Sequence, residues 1–278
     1  QGLKYLTKCV ALQPDNIKLR LSLAQNYERN GFLGDALREY GNVVARSIDT
    51  PEGQEANLRF QLLSGVRALQ TGKLEDSLKV FEGLFRLYPQ NAKALTDVVN
   101  AYLSTKHLDY AKKLLEEIIT TNPGNTPAHY FLADIDEHLG DLQSAIENYG
   151  IVVKQLPRAN PQSKEASLKM SMLAGALAIK KADYGEAKRQ FEQAAAIDPK
   201  YPLAKLDLAI SLQNLGDTAK AEDTLLDALQ QNPDYLAARL KLAEFYVQGG
   251  RMDFAALQLE ETRIRGVGSR EANTASEA

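Results

Sequence analysis

The sequence predicts an all-α solenoid of about seven helical hairpins preceded by a single helix. Three observations carry this expectation. Prolines recur 34 residues apart at Pro89, Pro123 and Pro157, and again at Pro199 and Pro233. Small residues fall in two columns of that frame, with glycine between them. The composition, 44% hydrophobic and 25% charged, is that of a chain able to bury a core. A fixed period of roughly 20 to 50 residues describes stacked units, each hiding its apolar face against the next.

The first element is residues 3–13, which read as the second helix of a repeat whose first helix is absent. Leu6, Cys9 and Val10 would face that missing partner, and Pro14 closes the unit. No initiator Met and no targeting segment are visible, and with that first helix absent a fragment or processed form of a longer protein is expected. With each periodic proline set as repeat position 32, the repeats begin at Ile17, Leu58, Ala92, Thr126, Leu168, Pro202 and Leu236.

The columns then line up. Position 20 is Ala36, Ser77, Ala111, Ala145, Ala187, Ala221 and Ala255. Position 8 is Ala24, Gly65, Val99, Ala133, Gly175, Ala209 and Ala243, while position 24 is Tyr40, Phe81, Leu115, Tyr149, Phe191, Leu225 and Leu259. Small residues let the two helices approach, and the large one fills the space beside them. Position 15 is Gly31, Gly72, Gly140, Gly216 or Gly250, suited to the left-handed residue that ends a helix, with Lys106 and Ala182 as exceptions. Proline at position 32 stops the second helix.

Two intervals are longer. Ile48 to Pro89 is 41 residues and Pro157 to Pro199 is 42, additions near two helical turns. Thr50-Pro51 and Asn160-Pro161 supply a cap followed by a first-turn proline. Extended first helices are therefore expected near 51–71 and 161–181. Pro51 and Pro161 are 110 apart, as are Gly65 and Gly175, Phe81 and Phe191, and Pro123 and Pro233. That spacing argues for a duplicated block of three repeats, against chance matches among similar repeats. At the C-terminal end Thr262 and Arg263 make the last second helix polar, as a terminal repeat requires. Residues 1–265 are read as the solenoid and 266–278 as a disordered tail.

These columns resemble the tetratricopeptide repeat (TPR) family over residues 1 to about 265, in its bacterial multi-repeat form. The resemblance implies a right-handed α-α superhelix and a non-catalytic scaffold for protein partners. It is not complete: the family's position 4 aromatic is missing, position 11 is Asp136 in the fourth repeat, and Lys106 and Ala182 replace glycine.

Function classes narrow further. The formal net charge of −3 leaves no basic excess to neutralise phosphates, so no nucleic-acid partner is expected. No apolar run approaches the ~18 residues of a membrane span. Cys9 is the one cysteine and cannot form an internal disulfide; it reads as a packed thiol. No catalytic or phosphate-loop motif occurs, so no enzyme activity, cofactor or metal is expected. Asp134, Glu137 and His138 share a helix face that could meet a divalent cation, but a solvated polar face is the commoner use.

In the TPR family, positions 2, 5, 9, 12 and 13 of the first helices line a concave groove. The resemblance thus assigns partner binding to Leu62, Val66 and Leu69, to Lys93, Thr96 and Asn100, and to Tyr130, Asp134, Glu137 and His138. The fifth repeat adds Met172, Ala176 and Ile179. Two apolar strips flanking a polar centre would suit an extended or amphipathic protein segment; helix packing is the alternative for the apolar residues. The carboxylate clamp of chaperone-binding members is absent, since Asn100 lacks its partners and Phe131 stands in the next repeat. The likeness points to assembly of a bacterial envelope, secretion or exopolysaccharide system, with the periplasm favoured over the cytoplasm. The alternatives are a homo-oligomerising module and the arm of an enzyme whose catalytic domain lies elsewhere.

Overall fold

The computed structural model describes residues 2–277 and, among them, sixteen helices and no strand. A leading helix α1 (Gly2–Leu12) precedes the hairpins α2 (Ile17–Arg29) with α3 (Leu33–Ser47), α4 (Pro51–Gln70) with α5 (Leu74–Leu87), and α6 (Ala92–Ser104) with α7 (Leu108–Thr121). Then come α8 (Thr126–Leu139) with α9 (Leu142–Gln155), α10 (Pro161–Lys180) with α11 (Tyr184–Ile197), and α12 (Pro202–Asn214) with α13 (Thr218–Gln231). The seventh hairpin is α14 (Leu236–Gln248) with α15 (Met252–Arg265), followed by α16 (Arg270–Glu277). The chain divides into two compact units, residues 1–135 and 136–278.

Local chemistry sets the boundaries. The side chains of Asn16, Thr50, Asn91, Asp141, Asp183 and Asp217 each accept a hydrogen bond from a first-turn amide, satisfying donors the helix cannot. All seven hairpin turns use a left-handed residue at position 15; Gly31, Gly72, Gly140, Gly216 and Gly250 adopt φ of 70–82°. Lys106 (61°) and Ala182 (56°) adopt the same conformation against the preference of an L-residue. At Gly53, a Cβ would lie 1.7 Å from the Ser47 carbonyl oxygen, so α4 meets the end of α3 where only glycine fits.

Positions 8 and 24 are matched in size. A Cβ on Gly65 would lie 2.3 Å from the Phe81 ring, and one on Gly175 would lie 2.6 Å from the Phe191 ring. Where position 24 is tyrosine or leucine, position 8 carries alanine or valine instead. In the first unit this packing builds a core around Phe81, Leu95, Tyr102, Leu114 and Leu115, with a second cluster around Ala24, Ala36 and Tyr40. In the second unit the cores are built on Ala187 with Phe191 and on Leu225 with Leu242.

Position 4, where the family aromatic is missing, has a different occupant. Arg20 Nε donates to the Pro14 carbonyl (2.7 Å), and Arg239 Nε and Nη2 donate to that of Pro233 (3.0 and 2.9 Å). His129 Nε2 lies 3.1 Å from the Pro123 carbonyl oxygen. Arg20 also pairs with Glu39 (2.8 Å), Lys205 pairs with Asp227, and Arg239 bonds Gln258 (3.1 Å), each joining a first helix to its own second helix. At Arg20, His129 and Arg239 a polar side chain thus ties the proline loop to the first helix where an aromatic ring would fill space. Asp136, the departure at position 11, is fully buried and accepts a hydrogen bond from Ser144 Oγ (2.5 Å).

One sequence expectation is corrected. Residues 270–277 form α16 rather than a disordered tail: Ser269 Oγ accepts from the Ala272 amide, and Ala272 and Ala275 are buried as α16 packs on α14 and α15. Residue 278 lies outside the described residues. At the other end α1 packs on α2 with Val10 buried, while Leu6 and Cys9 are half-buried.

Candidate functional site: the first-helix faces of the two units

In the first unit the first helices present a polar network. Tyr40, buried beneath it, donates its hydroxyl to Glu28 Oε2 (2.5 Å), and Arg59 reaches Glu28 (3.5 Å) and Asp97 (3.7 Å). Gln25 Nε2 donates to Glu55 Oε1 (2.8 Å), and Lys93 stands 3.8 Å from Asp97. Burial, and then the Glu28 carboxylate, push the Tyr40 hydroxyl far above its usual range, so it serves as a donor. Gln25, Arg29, Glu55 and Arg59 border a polar hollow of about 380 Å³ above this network.

In the second unit the first helices α12 and α14 present an apolar face. Leu206 and Ile210 of α12 with Ala237 and Leu240 of α14 floor a cleft of about 340 Å³, closed on one side by Arg270, Glu271 and Thr274 of α16. Lys241 and Glu244 pair across its rim at 2.8 Å. Next to Leu206, burial pushes the Asp207 carboxyl up to about 6. Burial, with Asp207 and Tyr201 nearby, pushes the Tyr235 hydroxyl up to about 12.

The residues singled out from sequence divide accordingly. Leu62 (4% exposed) and Leu69 (3%) are core residues, because α4 is packed by α2, α5 and α6; they are unavailable to a partner. Val66 is half-buried against the same core. Tyr130 (8%) is also buried, edge-on to Phe131 at 6.0 Å, since its ring turns into the helix packing. Lys93, Asn100 and His138 are exposed, and Asp134 is half-buried. Thr96 returns its hydroxyl to the Ala92 carbonyl (2.9 Å). Glu137 accepts from the Tyr149 hydroxyl (3.2 Å) and lies 3.9 Å from Lys169, which makes it a hairpin contact first. Met172 and Ile179 are half-buried against Ala178, Ala187 and Phe191. Among the described residues no three His, Cys, Asp or Glu side chains converge on a metal position.

Sequence reasoning missed Gln25, Glu28, Glu55, Arg59 and Asp97 in one unit and Leu206, Ile210 and Leu240 in the other. The signal was present: Tyr40, Glu28 and Arg59 recur about 110 residues on as Tyr149, Glu137 and Lys169. In both copies the tyrosine hydroxyl meets the glutamate, which the next repeat's cation approaches.

Fold and faces together define a helical-hairpin repeat protein built as a protein–protein interaction scaffold. Tetratricopeptide repeat profiles match residues 178–228, and residues 21–92 with 206–265. The chain belongs to the tetratricopeptide repeat family. No curated protein matches it. Among solved structures it is similar to YrrB, described as a TPR protein with an unusual peptide-binding site (TM-score 0.53, 13% identity, covering 71% of this chain and 98% of that one). It is also similar to MamA residues 41-end from Desulfovibrio magneticus RS-1 (0.53, 20%, 64% and 97%). Against the APC/C hetero-tetramer Cut9-Hcn1 the values are 0.50, 15%, 99% and 51%. At these identities the likeness is one of fold. Among the described residues no helix is long and apolar enough to cross a membrane.

Proposed function

We propose that this scaffold holds a segment of a partner protein against its first helices, with the second unit's apolar cleft as the principal anchor. The observation that carries this is the half-buried floor of Leu206, Ile210, Ala237 and Leu240, bordered by both signs of charge on Lys241, Glu244, Arg270 and Glu271. An apolar floor with a mixed polar rim suits an amphipathic segment, whose large side chains fill the floor while its polar face meets the rim. Lys93, Asn100 and His138, the exposed members of the sequence-assigned set, are secondary polar contacts on this reading. The machinery so assembled, envelope, secretion or exopolysaccharide, follows from the identity of captured partners.

The test is capture from native extract with mass spectrometry, comparing the wild type with an Ile210→Ser/Leu240→Ser double variant of unchanged helicity. Each anchor of this size contributes about 1.5–3 kcal/mol when buried, so retention should drop at least tenfold. A partner list and yield unaltered by the double variant would overturn the assignment.

A further inference from the structure

The duplicated three-repeat block contains its own control, and around one shared glycine its two copies differ at three positions. In both, the extended first helix lays a large side chain over a glycine of the preceding second helix. A Cβ on Gly41 would lie 3.4 Å from the Phe60 ring, and one on Gly150 would lie 3.6 Å from Met170 Sδ. In the first copy Tyr88 closes the space alongside: its hydroxyl donates to the Gln54 carbonyl (3.2 Å) and accepts from Asn57 Nδ2 (3.2 Å). In the second copy the residue at Tyr88's place is Asp198, whose carboxylate accepts from the Lys200 amide (3.1 Å) in its own loop. Ser167 stands where Asn57 does, and Met170 where Phe60 does.

The result is a cleft of about 580 Å³ between α9, α10 and α11. Val153, Met170 and Ile197 give it a half-buried apolar floor. Ser163, Ser167 and Ser171 run along one side at i, i+4 and i+8, a rail of roughly 12 Å at 1.5 Å per residue. Arg158 and Lys164 stand exposed at the rim, no ion pair engages either among the described residues, and no lining residue is acidic. Elsewhere on this chain surface cations are commonly paired, as Arg251 is with Glu222 (2.7 Å) and Arg265 with Glu261 (2.7 Å).

From these features we infer a second docking site, for a short acidic–apolar peptide segment of a partner protein. Its aliphatic or aromatic side chains lie on Val153, Met170 and Ile197, and its carboxylates meet Arg158 and Lys164. Charge complementarity selects the occupant: two uncompensated cations beside an apolar floor favour an anionic amphipath. The length of the serine rail matches three or four extended residues at roughly 3.3 Å each. This site is separate from the first-helix face and stands or falls independently of it.

The test is selection of a phage-displayed random octapeptide library on the full chain. Peptides with Asp or Glu beside Leu, Ile or Phe should be enriched. A fluorescein-labelled enriched peptide should bind at least tenfold more weakly to Arg158→Ser/Lys164→Ser. It should also bind weakly to Ser167→Asn/Asp198→Tyr, which rebuilds the tyrosine closure that the first copy already tolerates. Its affinity should decline with added salt and be indifferent to Ile210→Ser/Leu240→Ser. No acidic–apolar enrichment, or binding that survives the rebuilt closure, overturns the proposal. So does loss of binding in the Ile210/Leu240 variant, which would return the peptide to the first-helix face. Saturable binding of decanoate without peptide enrichment would overturn the peptide as occupant.

Discussion

Gly175 and Phe191 show how closely residue size is matched within a hairpin. A methyl group at 175 would meet the ring at 2.6 Å, on a backbone held by its neighbours. Gly175→Ala should therefore destabilise by about 1–3 kcal/mol in urea unfolding. Adding Phe191→Leu, which recreates the Ala209–Leu225 pairing of the sixth repeat, should make the double variant less unstable than the sum of the two single ones. Strict additivity would mean the two residues do not form one packing unit. Asp207 carries a different strain. Its carboxyl is raised to about 6 by burial, so its favourable contribution is complete below the unfolded value near 4. That contribution is lost as pH rises through about 6. Asp207→Asn should accordingly raise the melting midpoint at pH 7–8 and change it little at pH 4; an equal shift at both would exclude a titrating carboxylate.

At the scale of the element, the hairpin turn is the part most fully legible from sequence. Glycine at position 15 announces a left-handed residue, and all seven turns have one. Lys106 and Ala182 adopt it against a cost of roughly 1–2 kcal/mol for an L-residue, partly offset by the greater chain entropy that glycine would lose. Ala182→Gly should thus stabilise by about 0.5–1 kcal/mol in thermal unfolding, and a loss of stability would contradict the turn geometry. The long helices α4 and α10 start at Pro51 and Pro161 because a capping side chain and a proline define a start that depends on neither neighbour nor core. The terminal helix α16 was illegible for the opposite reason. Its eight residues lack an apolar stripe, and only Ala272 and Ala275, small enough to lie on α14 and α15, hold it. The site was partly legible in the same way. Repeat positions named the helix face, but Leu62, Leu69 and Tyr130 are buried because flanking helices cover them, which a single repeat's pattern does not encode.

For the molecule as a whole, stability in a repeat array is a sum of repeat terms and nearest-neighbour interfaces. A lesion in one hairpin should then decay with distance along the chain. In native-state hydrogen exchange, Gly175→Ala should lower amide protection over α9 to α12 while α2 to α5 keep wild-type protection. Uniform loss over all helices would instead indicate one cooperative fold.

By itself, the sequence determined the repeat period, the hairpin count, the turn conformation and the family, because each is written in local chemistry: a proline without a donor, a glycine without a Cβ, a cap within reach of its amide. Only the tertiary structure decided which first-helix side chains stay open, how Arg20, Lys205 and Arg239 replace an aromatic core position, and why the α9–α10–α11 cleft is open where Tyr88 closes its counterpart. Those outcomes depend on what neighbouring helices cover, and on hydrogen bonds between residues one repeat apart, so no stretch of sequence contains them alone.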